Sequence, residues 1–203
     1  MTHECPVVYW SARDIYEAAG LTRGTWQSIT IFGWYPRPDI YVGRQAGWTP
    51  ARAMRFLRET GRINVRGEAV PGDRVGRRPQ NEDPPSWYFV KAVRFFTRAE
   101  ATALLGRDQR LFKRAIAVGV GPQEAVHIGA GATLRPHVGY DIETVIKIAE
   151  EYGWIDLGSG DEVRLRAKEL VELREHQDEQ RGKDAPPKRA AKNAGKKAAD
   201  PTL

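Results

Sequence analysis

The stretch that repeats within this chain reads WSARDIYEAAGLTRGTWQSITIFGWYP at residues 10–36 and FTRAEATALLGRDQRLFKRAIAVGVGP at residues 96–122. The helix-start residues, the glycines, the aromatic residues and the final proline of the two copies align without a gap at an offset of 86. Positions expected in the core agree while exposed positions differ, and this selective agreement indicates an internal duplication.

Each copy predicts a short helix, a tight turn and a second helix. In the first copy Ser11 can cap a helix that ends at Gly20, and Thr22 can cap the next helix almost immediately. A connection this short is typical of a helix-turn-helix. Trp26 and Ile29, at helical spacing, are predicted to face the core. The corresponding residues of the second copy are Thr97, Gly106, Asp108, Phe112 and Ala115.

A small β-hairpin and a third helix are predicted to follow in each copy. In the first copy the Pro-Arg-Pro segment at 36–38 favours extended backbone, and residues 40–47 have the composition of a strand and a glycine-rich turn. Thr49 and Pro50 then start a helix that stops at Gly61. The second copy has its strand at 126–128, a longer tip at 129–133 and its helix from Asp141 to about Tyr152.

Residues 8–62 resemble the MerR-like winged helix-turn-helix domains of phage excisionases and AlpA-type regulators. Four short motifs carry the resemblance: Gly20-Leu21-Thr22-Arg23, Tyr35-Pro36-Arg37-Pro38, Gly43-Arg44 and Gly47-Trp48. The first copy departs from the family at Gly24 and Ser28, and the second copy has Gly121-Pro122 in place of Pro-basic-Pro and lacks the Gly-Trp pair. The resemblance implies an α+β fold that is mainly α with small β-hairpin wings, arranged as two tandem winged helix-turn-helix domains.

Five segments are predicted along the chain. Residues 1–66 form winged helix-turn-helix domain 1, residues 67–86 a linker rich in glycine, proline and charge, and residues 87–160 winged helix-turn-helix domain 2. Residues 161–180 are predicted to form a C-terminal helix that packs on domain 2, because they span too few heptads to require a coiled coil. Residues 181–203, rich in alanine, lysine and proline and without aromatic residues, are predicted to be a disordered basic tail.

Basic residues concentrate toward the two ends of the chain. Residues 1–120 carry 19 basic and 11 acidic side chains, residues 121–180 carry 6 and 13, and residues 181–203 carry 7 and 2. Basic segments indicate an acidic partner, and nucleic acid is the commonest one. The single cysteine, Cys5, cannot form an internal disulfide, and neither a membrane span nor a signal peptide is expected, so the composition favours the cytoplasm.

The exposed faces of the second helices are the predicted DNA-reading surfaces, because this helix of a helix-turn-helix lies in the major groove. Arg23 can fork onto guanine and Gln27 onto adenine, whereas the more cationic face of the second copy suits phosphate. Arg44 at the first hairpin tip, helped by Arg37, and Arg135 in the second hairpin are placed to reach the DNA backbone. The predicted DNA-binding residues are Thr22, Arg23, Gln27, Ser28, Arg37, Arg44, Gln109, Arg110, Lys113, Arg114 and Arg135.

Three arginines on the third helix of the first copy receive a different interpretation. Arg52, Arg55 and Arg58 recur every three residues. We predict that they form a solvated helix face with at most one phosphate contact.

These features predict a sequence-specific double-stranded DNA-binding protein, a transcriptional regulator of a phage, plasmid or other mobile element, with no cofactor, metal or small-molecule substrate. The sequence contains no glycine-rich phosphate loop, paired helical histidines, Gly-x-Ser-x-Gly elbow or Cys-x-x-Cys pair, so an enzyme is not expected. Two alternatives stay open. One is an excisionase-type architectural factor, and the other is a DNA-binding adaptor whose second domain binds an integrase, a polymerase or a second copy of the chain.

Overall fold

The computed structural model describes residues 6–31, 35–70, 86, 90–129 and 135–183, and within these ranges the chain has an α+β fold. The described residues form seven helices and two three-stranded sheets. The elements of the first repeat are β1 (Val7–Tyr9), α1 (Ala12–Ala18), α2 (Arg23–Ile31), β2 (Ile40–Val42), β3 (Gln45–Gly47) and α3 (Pro50–Glu59). The elements of the second repeat are β4 (Val93–Phe95), α4 (Arg98–Leu105), α5 (Gln109–Ala117), β5 (Val126–Ile128), β6 (His137–Gly139) and α6 (Ile142–Glu151), and α7 (Gly160–Lys183) follows them.

Equivalent local sequences start and end the first helix of each repeat. The Ser11 hydroxyl accepts a hydrogen bond from the Asp14 amide at 3.2 Å, and the Asp14 carboxylate accepts one from the Ser11 amide at 2.6 Å. This reciprocal pair is a capping box. Gly20 ends α1 at a φ of +63°, and the Leu21 amide donates to the Tyr16 carbonyl at 2.8 Å. The second repeat uses Thr97, Glu100 and Gly106 in the same roles.

Both sheets are shared between the repeats. Their strand orders are β1-β5-β6 and β3-β2-β4, so β1 pairs in parallel with β5 of the second repeat and β4 pairs in parallel with β2 of the first. Each hairpin is antiparallel and lies within its own repeat. The chain then returns to its own repeat at two isolated bridges, Trp10 with Trp48 and Phe96 with Tyr140. Strand pairing therefore crosses the boundary drawn between residues 1–66 and 87–160, and neither segment contains a complete sheet.

Three apolar clusters hold the described residues together. The first lies under α1, α2 and α3, where Trp26 meets Trp48 and Phe56 with ring centroids 6.3 Å apart in each pair. The second lies under α4, α5, α6 and α7 and includes Phe112 edge-on to Tyr140 at 5.3 Å. The third lies between the two sheets and consists of Ile40, Val42, Val126 and Ile128. The side chains predicted to face inward on α2 and α5 are buried: Trp26, Ile29, Phe112 and Ala115.

Arg52 corrects the prediction that three arginines of α3 form a solvated face. Its side chain is 9% exposed and donates to the Asp39 carboxylate at 2.5 Å. The other carboxylate oxygen of Asp39 accepts hydrogen bonds from the Thr49 amide at 2.7 Å and the Thr49 hydroxyl at 3.1 Å. Asp39 thus binds the start of α3, and its negative charge pairs with the positive charge of Arg52. Arg52 is buried because it makes this ion pair. Arg55 and Arg58 are exposed, as predicted.

Helix α7 packs on α4 and α6 of the second repeat. Its buried face consists of Val163 and Ala167, with Leu170 and Val171 partly covered. The sequence predicts a helix over 161–180 that packs in this region, and the described helix extends to Lys183.

The remaining predicted segments lie largely outside the described residues. The predicted linker at 67–86 is described at 67–70 and at residue 86, and there Val70 donates its amide to the Arg62 carbonyl at 2.9 Å. Residues 67–70 therefore fold back onto the first repeat. The predicted basic tail at 181–203 is described only to Lys183, where α7 ends.

Candidate nucleic-acid interface

The outward side of α2 carries the residues predicted to read DNA in the first repeat. Burial of Trp26 and Ile29 turns the opposite side of the helix to solvent. The Thr22 hydroxyl accepts from the Thr25 amide at 3.2 Å, which places Thr22 at the N-terminus of the helix. The residues exposed here, called the α2 face below, are Thr22, Arg23, Gly24, Gln27 and Ser28.

The outward side of α5 is the equivalent surface of the second repeat and is more cationic. Asp108 caps this helix by accepting from the Arg110 amide at 2.7 Å. Because this carboxylate already accepts the hydrogen bond of an amide at the helix start, phosphate binding at α5 would depend on the cationic side chains of the helix. The residues exposed here, called the α5 face below, are Gln109, Arg110, Lys113 and Arg114.

The described part of the chain supplies no carboxylate that neutralises the cations of these faces. Among the residues that the structure describes, no carboxylate forms an ion pair with Arg23, Arg110, Lys113 or Arg114. The α2 face has one such cation and the α5 face has three. The two faces are therefore equivalent in position and unequal in charge.

The hairpin arginines lie apart from these two faces in sequence and differ in their surroundings. Arg37 is exposed just before β2, and Arg135 is exposed just before β6. The tip residues 130–134 of the second hairpin lie outside the described part of the chain. Arg44 is exposed at the first hairpin tip and lines a cleft between that tip and α7.

This cleft gathers charged residues that the sequence analysis did not single out. Arg94 of β4 lies over the Tyr41 ring, 4.5 Å from its centroid, and pairs with Asp178 of α7. Arg174 pairs with Glu100 at the start of α4. Nothing local in the sequence predicts that α7 reaches this hairpin, since the two are more than 110 residues apart.

Burial dominates the electrostatics of the cleft. It lowers the pKa of the Arg174 guanidinium, and the positive charges of Arg94 and Arg44 lower it further. It also raises the pKa of Tyr41 to about 12, with a smaller contribution from Asp178. Arg44 thus adds a third positive charge beside Arg94 and Arg174.

The α2 and α5 faces are the strongest candidate site, because they present exposed cations that no described carboxylate pairs with. The described ranges contain no group of three or more histidine, cysteine, aspartate or glutamate residues placed to hold a metal ion. No helix within them combines the length and the hydropathy that crossing a bilayer requires. Comparison of the chain with family models, curated proteins and solved structures found no match.

Proposed function

We propose that this chain is a sequence-specific double-stranded DNA-binding protein, built from two winged helix-turn-helix units and acting as a transcriptional regulator of a mobile element. The observation that carries the proposal is the α5 face, on which Arg110, Lys113 and Arg114 are exposed without a carboxylate partner among the described residues. The equivalent helix of the first repeat exposes Arg23 and polar residues that suit base edges.

The dimensions of the two helices support this assignment. Both α2 and α5 have nine residues, which corresponds to a length of about 13 Å. An α-helix with its side chains is about 10–12 Å in diameter, and the major groove of B-DNA, about 12 Å wide, admits it. On α2, Arg23 forks onto guanine and Gln27 onto adenine; on α5 the three cations contact phosphates and release counterions.

In this proposal the hairpins act as fixed supports for DNA contacts and do not project freely as wings. The Gly43 amide at the first tip donates to the Phe95 carbonyl at 3.2 Å, and the Gly129 amide donates to the Tyr9 carbonyl at 2.9 Å. The first tip, and the residue at which the second tip begins, are therefore hydrogen-bonded to the other repeat. Arg44 then contacts a phosphate from a fixed position, as the charge of the cleft that remains when Arg94 pairs with Asp178 and Arg174 with Glu100.

The test compares two lysines that carry the same charge on exposed helix faces. Lys113 lies on the α5 face, whereas Lys168 lies on α7 with Glu172 at 3.9 Å. The purified full chain is titrated with labelled mixed-sequence duplex at several salt concentrations. We expect Lys113→Gln to weaken binding to every duplex and to lower the slope of log affinity against log salt by about 1. Lys168→Gln, with the same change in net charge, should leave the slope unchanged.

A second variant tests base reading. Arg23→Ala is expected to relax preference at one base pair of a selected site at a cost of about 1–3 kcal/mol. Equal losses on selected and random duplex would contradict the role of Arg23. Absence of duplex binding by the wild-type chain at low ionic strength, or equal effects of the two lysine variants, would overturn the proposed function itself.

Transcriptional regulation and an architectural role in recombination use the same DNA contacts. A gel assay in which the site is moved along a fragment measures bending. Bending by tens of degrees at the selected site would favour the excisionase-type alternative.

A further inference from the structure

We propose that one molecule of this chain occupies two unlike half-sites arranged in inverted orientation in duplex DNA, with an internal twofold axis of the protein aligned on a twofold axis of the duplex. The proposal rests on the proposed function and adds the orientation, spacing and stoichiometry of the half-sites. Its basis is a set of contacts between the repeats that is reciprocal residue by residue.

Strand pairing between the repeats is the first reciprocal contact. Val7 of β1 pairs with Val126 of β5, and Val93 of β4 pairs with Ile40 of β2. Adding the offset of 86 to Val7 gives Val93, and subtracting it from Val126 gives Ile40. The second pairing is thus the first with the repeats exchanged, in the same parallel register.

Packing of the two sheets is the second reciprocal contact. A Cβ added to Gly47 of β3 would lie 3.0 Å from the Ile128 side chain of the other repeat. A Cβ added to Gly139 of β6 would lie 2.7 Å from the Val42 side chain. Gly47 and Gly139 end equivalent strands, and Val42 and Ile128 are equivalent at the offset of 86. Each repeat therefore brings one glycine against the same position of the other.

Contacts of this kind define the symmetry that relates the repeats. In a twofold interface, residue i of one unit contacts residue j of the other, and j of the first contacts i of the second. Repeats related by a simple shift along the chain axis make head-to-tail contacts, in which this exchange does not hold. The strand and glycine contacts are all of the first kind, so an approximate twofold axis passes between the two sheets.

The same axis relates the α2 face to the α5 face. Duplex DNA has its own twofold axes perpendicular to the helix axis, and symmetric proteins use them by binding inverted half-sites. Two faces related by a twofold axis meet successive grooves equivalently only when the half-sites are inverted. Because the repeats share both sheets, their separation is fixed, and a single spacing between half-sites is expected.

Orientation cannot be read from a site selected by the wild-type chain, because the α2 and α5 faces carry different residues and select different half-sites. A face-matched variant removes this difference by giving α5 the α2 residues at equivalent positions, because the α2 face is the one assigned to base reading. Its substitutions are Gln109→Arg, Arg110→Gly, Lys113→Gln and Arg114→Ser. All four side chains are exposed, so the exchange leaves the core of the second repeat unchanged.

The experiment is random-duplex selection with the full-length face-matched variant. We expect one short motif to occur twice, in inverted orientation and at one spacing. Inserting a single base pair between the copies rotates one half-site by about 34°, and should lower affinity at least about tenfold. Two copies in direct orientation, a single copy, or tolerance of many spacings would overturn the inference.

Two measurements on the wild-type chain keep the test independent of that variant. Hydroxyl-radical footprints on the two strands should be related by a twofold axis through the middle of the site, and mass measurement of the complex should give one chain per site. Footprints related by a shift along the duplex, or two chains per site, would overturn the inference while leaving DNA binding intact. Failure of the wild-type chain to bind any duplex would instead overturn the proposed function, and this inference with it.

Discussion

Alanine at Gly139 would place a methyl group in the contact between the two sheets. The added Cβ would lie 2.7 Å from Cγ2 of both Val42 and Val126, and 2.8 Å from Cβ of Phe95. Favourable contact between carbon atoms requires about 3.5–4.0 Å. Cβ of Phe95 is attached directly to the β4 backbone, so a change of side-chain rotamer cannot move it away. Accommodation therefore requires the two sheets to separate by part of an ångström or more.

The expected cost follows from this crowding. Gly139 does not have a positive φ, so alanine is compatible with its backbone and the cost comes from contact alone. Overpacking of a core costs about 1–3 kcal/mol. For a chain of this size each kcal/mol lowers the melting temperature by about 2–4 °C, so Gly139→Ala should lower it by roughly 2–12 °C. Gly24→Ala is the control, since space surrounds Gly24 and alanine favours α2 by up to about 1 kcal/mol.

The assay follows thermal unfolding by far-ultraviolet circular dichroism and by tryptophan fluorescence, to which the buried Trp26 and Trp48 of the first repeat contribute. The substitution lies in the second repeat. Because both sheets are shared, we expect the two signals to shift together in one cooperative transition. A fluorescence transition that split in two, with one part at the wild-type midpoint, or a Gly139→Ala protein as stable as wild type, would refute this reasoning.

Three further perturbations test other parts of the structure. Asp39→Ala should lower the free energy of unfolding by about 3 kcal/mol, because Arg52 stays buried without this carboxylate. Asp39→Asn keeps a hydrogen-bond acceptor for the start of α3 and should lower the free energy of unfolding by less. Urea unfolding midpoints measure both losses. Burial raises the pKa of Tyr41 to about 12, so its stabilising contribution is complete below about pH 10 and is lost as the pH rises toward 12. Alkaline unfolding should be less steep in Tyr41→Phe, and equal slopes would contradict the assignment. A fragment of residues 1–66 should show no cooperative melting, because β1 and β2 would each lack a neighbouring strand.

The local parts of the fold were predictable from the sequence. Capping residues such as Ser11 and Thr97, and glycines such as Gly20 and Gly106, act within one turn of chain, so their effects can be read without knowledge of distant contacts. Helical spacing identified the buried side of α2 and α5, and every residue predicted to be outward on these helices is exposed. Whether those residues bind DNA is a separate question that the titrations above address.

The exchange of β1 and β4 between repeats could not be predicted from the sequence, for a reason specific to duplicated chains. Val7–Tyr9 and Val93–Phe95 are equivalent, as are the hairpins that receive them. Pairing with the hairpin of the same repeat or with that of the other would bury closely similar residues. The sequence pattern is compatible with both arrangements, and the choice depends on chain geometry between the elements.

The equivalence of the hairpins was only partly visible in the sequence. The offset of 86 holds to β5 but becomes 92 at β6, because the second hairpin has a longer tip. Gly139-Tyr140 is the counterpart of Gly47-Trp48 and was missed for this reason. A gapped comparison that allowed for the longer tip would have found it.

The duplication explains why the two halves differ at the surface and agree between the sheets. In the reciprocal interface Ile40 and Val42 face Val126 and Ile128, so each repeat supplies one isoleucine and one valine to the shared cluster. A change in volume on one side must be matched on the other, because this interior is close-packed. In the proposed function each of the α2 and α5 faces contacts only its own stretch of DNA, so these faces carry no such mutual constraint. Under that proposal, fusion of two repeats in one chain permits unequal half-sites around a nearly symmetric core, which a homodimer of identical chains cannot provide.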